Sequence, residues 1–496
     1  MQQFSHGQRD PRPVESLIKR RRLYTIASEV IIFSPSACFR LITERTVLVQ
    51  HTEGSPRRSE GDPDTPRDLQ GFADAGLRPA APGATPDAAP ASIDGRLLRY
   101  LLQSLGDPPV RVSLWNGETL APGSGESIAL VRIANRASLL KLLADPEFQF
   151  GECFCDGSVE VEGDLVRLLE ILIRALSDTA SSAPTPRRVI ERFRRRRANT
   201  PTVSRGNIRH HYDLGNEFYK LWLDRQLSYT CAYFPAPDIT LEQAQIAKMD
   251  HVCRKLRLRP EETVVEAGCG WGALALHMAT RFGVRVKAFN ISREQIAYAT
   301  ERARALGVGE RVEFIEDDYR NIRGRFDTFV SVGMLEHVGR ENYHELGSLI
   351  DRVLERDGRG LIHSIGHLRP DRLNAWIEKR IFPGAYPPSL REMLEVLEPC
   401  SFSVLDVENL RLHYALTLEH WLRRFDDARE RVKEMYDERF VRTWRLYLCG
   451  AQAAFRAGEM QLFQVLFARG RSNQVPWTRA HLYDRQAERG NGGGNL

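Results

Sequence analysis

No stretch of the 496-residue sequence offers about 20 consecutive apolar residues free of charge, the length a bilayer-crossing helix needs. The best early run, from Ile26 to Phe39, is short and carries Glu29. A bilayer-spanning protein is therefore excluded. A secretory layout is missing too, because the basic run Lys19 to Arg22 precedes an interrupted apolar segment with no small-residue cleavage site, so a cytoplasmic protein is expected. Paired cysteines are absent. The eight thiols (Cys38, Cys153, Cys155, Cys231, Cys253, Cys269, Cys400 and Cys449) follow neither zinc-site nor disulfide-framework spacing, and reduced thiols are expected. A net positive excess is lacking outside one place. The net charge is +5, and the segment 186–198 alone holds seven arginines against Glu191, which is +6 and leaves −1 for everything else. Such a chain has a local anion-facing patch and not the broadly basic surface of a nucleic-acid-binding protein.

What is present organises into blocks. From His51 to about Ser92 the chain is rich in Pro, Ala, Gly and Asp, and has too few large apolar residues to offset the entropy of ordering. Residues 1–92 are accordingly expected to be a largely disordered extension. A first folded unit, 93–180, begins with Leu97, Leu98, Leu101 and Leu102 on one helical face. Strand-like pieces follow at Val110–Leu114, Ile128–Ile133 and Gly157–Val161, with helical patterns over Ala137–Ala144 and Asp164–Leu176. The small α+β unit contains no catalytic constellation. An Arg-rich linker spans 181–205, and a larger unit, 206–484, precedes a tail at 485–496. Within that larger unit, apolar runs at Val264–Ala267, Val284–Phe289, Val312–Ile315, Thr328–Val332 and Gly360–Ile365 alternate with helical segments. This alternation predicts an α/β, doubly wound, mostly parallel sheet covered on both faces.

After the first of those strands comes Glu266-Ala267-Gly268-Cys269-Gly270-Trp271-Gly272-Ala273, a strand running into a glycine turn and a helix. Missing side chains let a ligand approach the backbone, and the helix N-terminus presents free N–H groups. The turn alone also satisfies a dinucleotide pattern. The second strand, however, ends in Asn290, where a dinucleotide enzyme usually has a carboxylate for the ribose.

Together with that turn, five further blocks resemble the cyclopropane-fatty-acyl-phospholipid synthases: His211–Asn216, Tyr229–Tyr233, Asn290–Gln295, Gly333–Gly339 and His363–Gly366. The likeness covers roughly Ile93 to Tyr483, because Gly151-Glu152 through Asp164-Leu165 is similar to the N-terminal domain of bacterial two-domain members. It implies a seven-stranded sheet of the class I methyltransferase type. It also implies S-adenosylmethionine as methyl donor, bicarbonate as proton acceptor, and unsaturated acyl chains of membrane phospholipids as substrate. Peripheral contact with the inner face of an anionic membrane is expected from the arginine run, a homodimer is left open, and neither metal nor nucleic acid is expected. By position, Glu266, Gly268, Cys269, Gly270 and Gly272 would surround the methionine part of the cofactor, with Tyr229 and Thr230 closing over it. Asn290, Ile291 and Gln295 would reach the ribose, and Asp318 and Tyr319 the adenine. Cys231, Glu336, His363, Ile365 and Tyr414 would form the bicarbonate site, and Tyr233 is a candidate aromatic face for a developing cation.

Each position has a plainer alternative. Cys231 in an apolar run is also a small core residue, Glu336 a helix-start carboxylate, and His363 a satisfied core histidine. The arginine run, punctuated by Val189, Ile190 and Phe193 at helical spacing, suits a membrane surface, a solvated linker or, least well, nucleic acid. The sequence departs from the family in two places. Glu266 stands for the usual aspartate, and Ala451 stands where a cysteine is common, with Cys449 two residues earlier.

Overall fold

The computed structural model describes residues 92–122, 126–180 and 214–483. The expected disordered extension, the Arg-rich linker and the tail lie outside them, as does His211-Tyr212-Asp213. The N-terminal module opens with α1 (Ile93–Ser104), whose N-cap Ser92 accepts from the Gly95 N–H. It continues through β1 (Val110–Leu114), β2 (Thr119–Leu120), β3 (Ala129–Ile133), α2 (Arg136–Ala144), α3 (Pro146–Cys155), β4 (Val159–Gly163) and α4 (Leu165–Ala180). Its four strands pair in the order β2-β1-β3-β4, with β1 and β3 parallel. The alternating burial of β1 turns Val110, Val112 and Leu114 inward, toward Leu98, Leu139 and Leu168. The sequence pattern misses α3. Its signals are a capping aspartate, Asp145, and a proline in the first turn, while its apolar residues show no clean helical period.

The larger module contains α5 (Asn216–Lys220), α6 (Leu241–Leu256), β5 (Thr263–Ala267), α7 (Ala273–Phe282), β6 (Arg285–Asn290), α8 (Arg293–Ala305), β7 (Val312–Glu316), β8 (Phe326–Val332), α9 (Tyr343–Val353) and β9 (Leu354–His367). After them come α10 (Ala375–Arg380), α11 (Leu390–Leu394), β10 (Phe402–Asn409), α12 (Arg411–Asp427), α13 (Arg429–Met435), α14 (Glu438–Ala457) and β11 (Met460–Arg469). The seven strands lie in the order β10-β11-β9-β8-β5-β6-β7, and only β11 runs against its neighbours. The order reverses between β5 and β8, so the carboxyl ends of those strands open a crevice there. Strand β9 is longer than the apolar run Gly360–Ile365 suggests, because Leu354 pairs with Phe326 and, past an irregularity over the charged stretch 355–358, Arg359 pairs with Thr328 and Ala468.

The two modules meet through α3, α4, α10 and α14. On α3, Gly151 leaves room for the Trp376 indole of α10, since a Cβ at that position would sit 2.5 Å from a ring carbon. Arg442 on α14 donates to the backbone carbonyls of Phe154 (2.6 Å) and Val159 (3.0 Å). Arg380 on α10 pairs with Glu152, holding that carboxyl below its ordinary range.

Candidate active site

At the crevice the chain leaves β5 through a turn that side chains would block. Gly268 and Gly272 have φ of +85° and +81°; a Cβ on Gly272 would meet Phe314 at 2.6 Å and one on Gly268 would meet Met334 at 3.0 Å. Around Gly270 there is open space within 4 Å, which suits the close approach of a ligand. Asn290, at the end of β6, donates to the Gly270 carbonyl (3.2 Å) and to Gln295 (2.7 Å), so these residues form one hydrogen-bonded wall. Asp317 N–H donates to the Asn290 carbonyl, and Asp318 beside it is clamped by Arg320. Tyr319, under the Arg320 guanidinium, holds a buried hydroxyl with no hydrogen-bond partner among the described residues. Burial pushes the Glu266 carboxyl up to about 8 against the pull of Lys248, and Glu266 Oε2 is also buried without a hydrogen-bond partner among the described residues. Orphaned polar atoms, a glycine cradle and a helix N-terminus fit a polar, nucleoside-bearing cofactor.

Beside the turn, β8 ends at Val332 and passes through Gly333 (φ +73°) into a short turn, Leu335–His337, that carries Glu336. The Gly333 N–H donates to the His363 carbonyl on β9, and Ile365 N–H donates to Glu336 Oε1 at 2.6 Å. The second carboxylate oxygen of Glu336 is buried and has no hydrogen-bond partner among the described residues. Burial is the leading cause that raises the Glu336 carboxyl to about 7. His363 is 1% exposed, and burial lowers it to about 3, so the ring is neutral at ordinary pH. Gln464, its register partner on β11, lies 3.1 Å from Nδ1 through its amide nitrogen. An amide N–H donating to Nδ1 leaves the ring proton on Nε2.

Glu336, His363, Ile365, Cys231 and Tyr414 all line one cavity of about 1120 Å³, together with Tyr229, Thr230 and Gly333. The glycine turn, Asn290, Ile291, Gln295, Asp318 and Tyr319 lie outside its lining; the turn adjoins it where Met334, the neighbour of the lining residue Gly333, packs closely on Gly268. Cys231 is fully buried, its thiol donates toward the Ala232 carbonyl at 3.1 Å, and burial drives its pKa far up, so it is a wall and not a nucleophile. The Tyr414 ring, on α12, packs against Phe455 at 4.6 Å between centroids.

Tyr233 does not join them. Its ring is sandwiched between the imidazoles of His251 (4.2 Å) and His413 (4.9 Å), away from the cavity lining, which overturns the expectation that it faces a reacting cation. Aromatic faces there include Tyr229, Phe382, Tyr414, Tyr447 and Phe455. The Tyr229 and Tyr447 hydroxyls share a 2.7 Å hydrogen bond. Ala451 lines the cavity while Cys449 is buried outside it, its thiol pushed up to about 12 by burial.

Sequence reasoning missed Gln464, Tyr447, His337 and Lys248. Lys248 reaches from α6 to donate to Thr230 Oγ1 at 2.8 Å, and Gln245 donates to the Thr230 carbonyl, so one helix pins the Tyr229–Thr230 segment twice. A readable signal existed only for Gln464, a glutamine inside the otherwise apolar run Leu462–Phe467.

Comparison with known proteins bears on these features. The family model described as mycolic acid cyclopropane synthetase matches residues 199–465, and a domain of unknown function matches 97–183. A "Probable fatty acid methyltransferase" of Pseudomonas putida is 35% identical over 398 residues, which are 77% of this chain and 98% of the relative. The cyclopropane-fatty-acyl-phospholipid synthase of Escherichia coli K12 is 36% identical over 356 residues, 71% of this chain and 90% of the relative. Among solved structures, mycolic acid cyclopropane synthase CmaA1 complexed with SAH and CTAB superposes with a TM-score of 0.51 at 30% identity, covering 53% of this chain and 98% of that one. With this matched span, the strand order and the glycine turn beside a buried Glu–His cavity, the chain belongs to the cyclopropane synthase family of S-adenosylmethionine-dependent methyltransferases.

Proposed function

We propose that this protein transfers the methyl group of S-adenosylmethionine to a cis double bond in a phospholipid acyl chain and removes a proton to close a cyclopropane ring. The observation behind this is the placement of Glu336, in the turn that follows β8, beside His363, the β9 partner of the last β8 residue Val332, inside a cavity whose other walls are chiefly apolar and aromatic. In this division of labour residues 206–484 form the methyltransferase domain and 93–180 a domain of their own.

S-adenosylmethionine, when bound, supplies an electrophilic methyl. The residues set against the glycine turn for it are Glu266, Gly268 to Gly272, Asn290, Ile291, Gln295, Asp318 and Tyr319, with Tyr229 and Thr230 between them and the acyl cavity. An isolated alkene is a weak nucleophile, so orientation and exclusion of water do most of the work. Tyr229, Tyr414 and Phe455 hold the chain between apolar faces, where a carbocation meets no water, and the ring faces offer it a negative quadrupole. The orphaned Glu336 Oε2 fits the hydroxyl of a small oxyanion, and bicarbonate held there supplies the proton acceptor. Ionised Glu336 accepts that hydroxyl, neutral His363 donates from Nε2, Tyr414 donates its phenol, and Cys231 and Ile365 close the pocket.

No helix among the described residues is long and apolar enough to cross a membrane. The acyl chain is reached from the bilayer surface, and the basic run between Arg187 and Arg197 supports contact with anionic headgroups on the cytoplasmic side. A second outcome, a methyl-branched or methylene chain, is favoured by the likeness to a relative named a fatty acid methyltransferase. Mass spectrometry of unsaturated phospholipid vesicles incubated with the protein and S-adenosylmethionine tests both. A gain of one CH2 unit with loss of the alkene is expected, a retained or migrated alkene marks the second outcome, and unchanged lipid refutes the proposal.

A further inference from the structure

The cavity does not stop at the methyltransferase sheet. It extends into the N-terminal module, where Leu101, Val112 and Ile133 line it from one side and Leu169, Leu172 and Ile173 of α4 from the other. The α4 residues are half-buried, and Leu98 and Leu168 of the module's own buried core also reach the cavity lining. An apolar wall without partner atoms forfeits dispersion contacts, and hydrocarbon is the filling that restores them. Between the two lobes runs the segment from His367 to Glu378, which starts at the end of β9 and reaches α3 through the Asn374–Glu147 hydrogen bond and the Trp376–Gly151 packing. Its charged residues Arg369, Asp371, Arg372 and Glu378 also line the cavity. The order across the space is thus apolar, charged, apolar. At about 1120 Å³ the whole exceeds the roughly 300–1,000 Å³ usual for sites that bury one small ligand.

Resting on the proposed action upon phospholipids, we propose that the N-terminal module is a second hydrocarbon site. It holds the non-reacting acyl chain of the same lipid whose unsaturated chain lies beside Glu336, with the headgroup at the charged segment. A diacyl lipid has the matching layout of two apolar arms joined at one polar point, and one chain alone would leave a lobe unfilled. The N-terminal module thereby presents the double bond in register by gripping its neighbour.

The test uses the full chain and a phosphatidylglycerol with one cis-unsaturated chain and a photoactivatable diazirine on its saturated chain. Adducts on α1 or α4 are expected, and moving the diazirine to the unsaturated chain should shift them to the lobe of Tyr414 and Phe455. Adducts of both lipids confined to that catalytic lobe would overturn the assignment. Crosslinking needs no turnover, so it decides this point even where no methylated product forms, which is the failure that belongs to the proposed reaction. In turnover, Ile173→Trp should lower the ratio of diacyl to monoacyl lipid methylated by about tenfold, with Ile173→Leu close to the parent. An equal fall for both lipids would mean that the reacting chain itself enters this lobe, and the assignment would fail.

Discussion

The two lobes of the cavity are built from the same kind of wall and differ in what is buried within it. The lobe at the sheet ends keeps carboxylates, imidazoles and phenols, Glu336, His363 and Tyr414 among them, whereas the N-terminal lobe is Leu, Val, Ile, Phe, Pro and Gly, with Glu147 at its border. Ionisable groups are costly in such surroundings, and the shifts register it: burial raises Glu336 to about 7 and lowers His363 to about 3. A fold keeps groups at that cost where they act, so chemistry belongs to one lobe and grip to the other.

The largest effect that follows is at Glu336. Glu336→Gln keeps the acceptor for the Ile365 N–H but cannot become an anion, and turnover should fall by about 10²–10⁴ with little change in S-adenosylmethionine affinity. Stability should move the other way. The folded carboxyl binds its proton more tightly than the ordinary value of 4.5, so its favourable contribution is fully present below about pH 4.5 and is lost as pH rises through about 7. At pH 8 the buried anion therefore costs on the order of 3 kcal/mol, which the glutamine avoids. A higher Tm for the variant at pH 8 and an unchanged one at pH 4 is the expected pair of calorimetric results. Unchanged turnover would break the distinction between the lobes.

The pH profile of the parent protein sharpens the same point. Methyl transfer should rise as Glu336 ionises near pH 7, and His363, neutral down to about 3, should add no inflection between pH 5 and 9. An additional limb near 6.5 that disappears in His363→Phe would show that the imidazole titrates.

A smaller loss is expected at Gln464, which lies against His363 without lining the cavity. Gln464→Leu frees the ring to take either tautomer and leaves a buried Nδ1 unpaired. About tenfold in kcat at constant KM for S-adenosylmethionine is the expected result, together with a mixed tautomer signature in nitrogen NMR of His363. A single Nε2–H tautomer at full activity would remove the orienting role.

How much of this was legible in the sequence follows from which contacts are local. The strand–glycine–helix turn at Gly268–Gly272 and the parallel strands are local patterns of period and turn chemistry, and both are present. The convergence of Cys231, Glu336, His363, Ile365 and Tyr414 came from likeness, since nothing local joins residues so far apart in the chain. Gln464 and Lys248 act across strand register and helix packing, which periodicity does not encode. Tyr233 was misassigned for the same reason: an aromatic next to a motif points either way, and stacking with His251 and His413 decides it. The shared cavity was invisible because it depends on how α4 faces an opening, not on any residue's type.

The smallest effect probes the joint between the lobes. Arg380–Glu152 joins α10 to α3 and is partly exposed, with side chains 39% and 19% accessible, so screening leaves it worth less than about 1 kcal/mol. Arg380→Ala should change turnover less than about twofold, and more at low salt than at high. Arg442, which spans to two backbone carbonyls of the N-terminal module, cannot be replaced as cheaply, because its loss leaves the Phe154 and Val159 carbonyls without that donor. Comparing the two variants in the diacyl-to-monoacyl ratio separates a surface ion pair from the contacts that hold the gripping lobe against the reacting one. Arg442→Ala should lower the ratio while Arg380→Ala leaves it in place. If Arg380→Ala alone lowered it tenfold, the lobes would be aligned by surface charge, and the packing of Trp376 on Gly151 would not be what fixes their register.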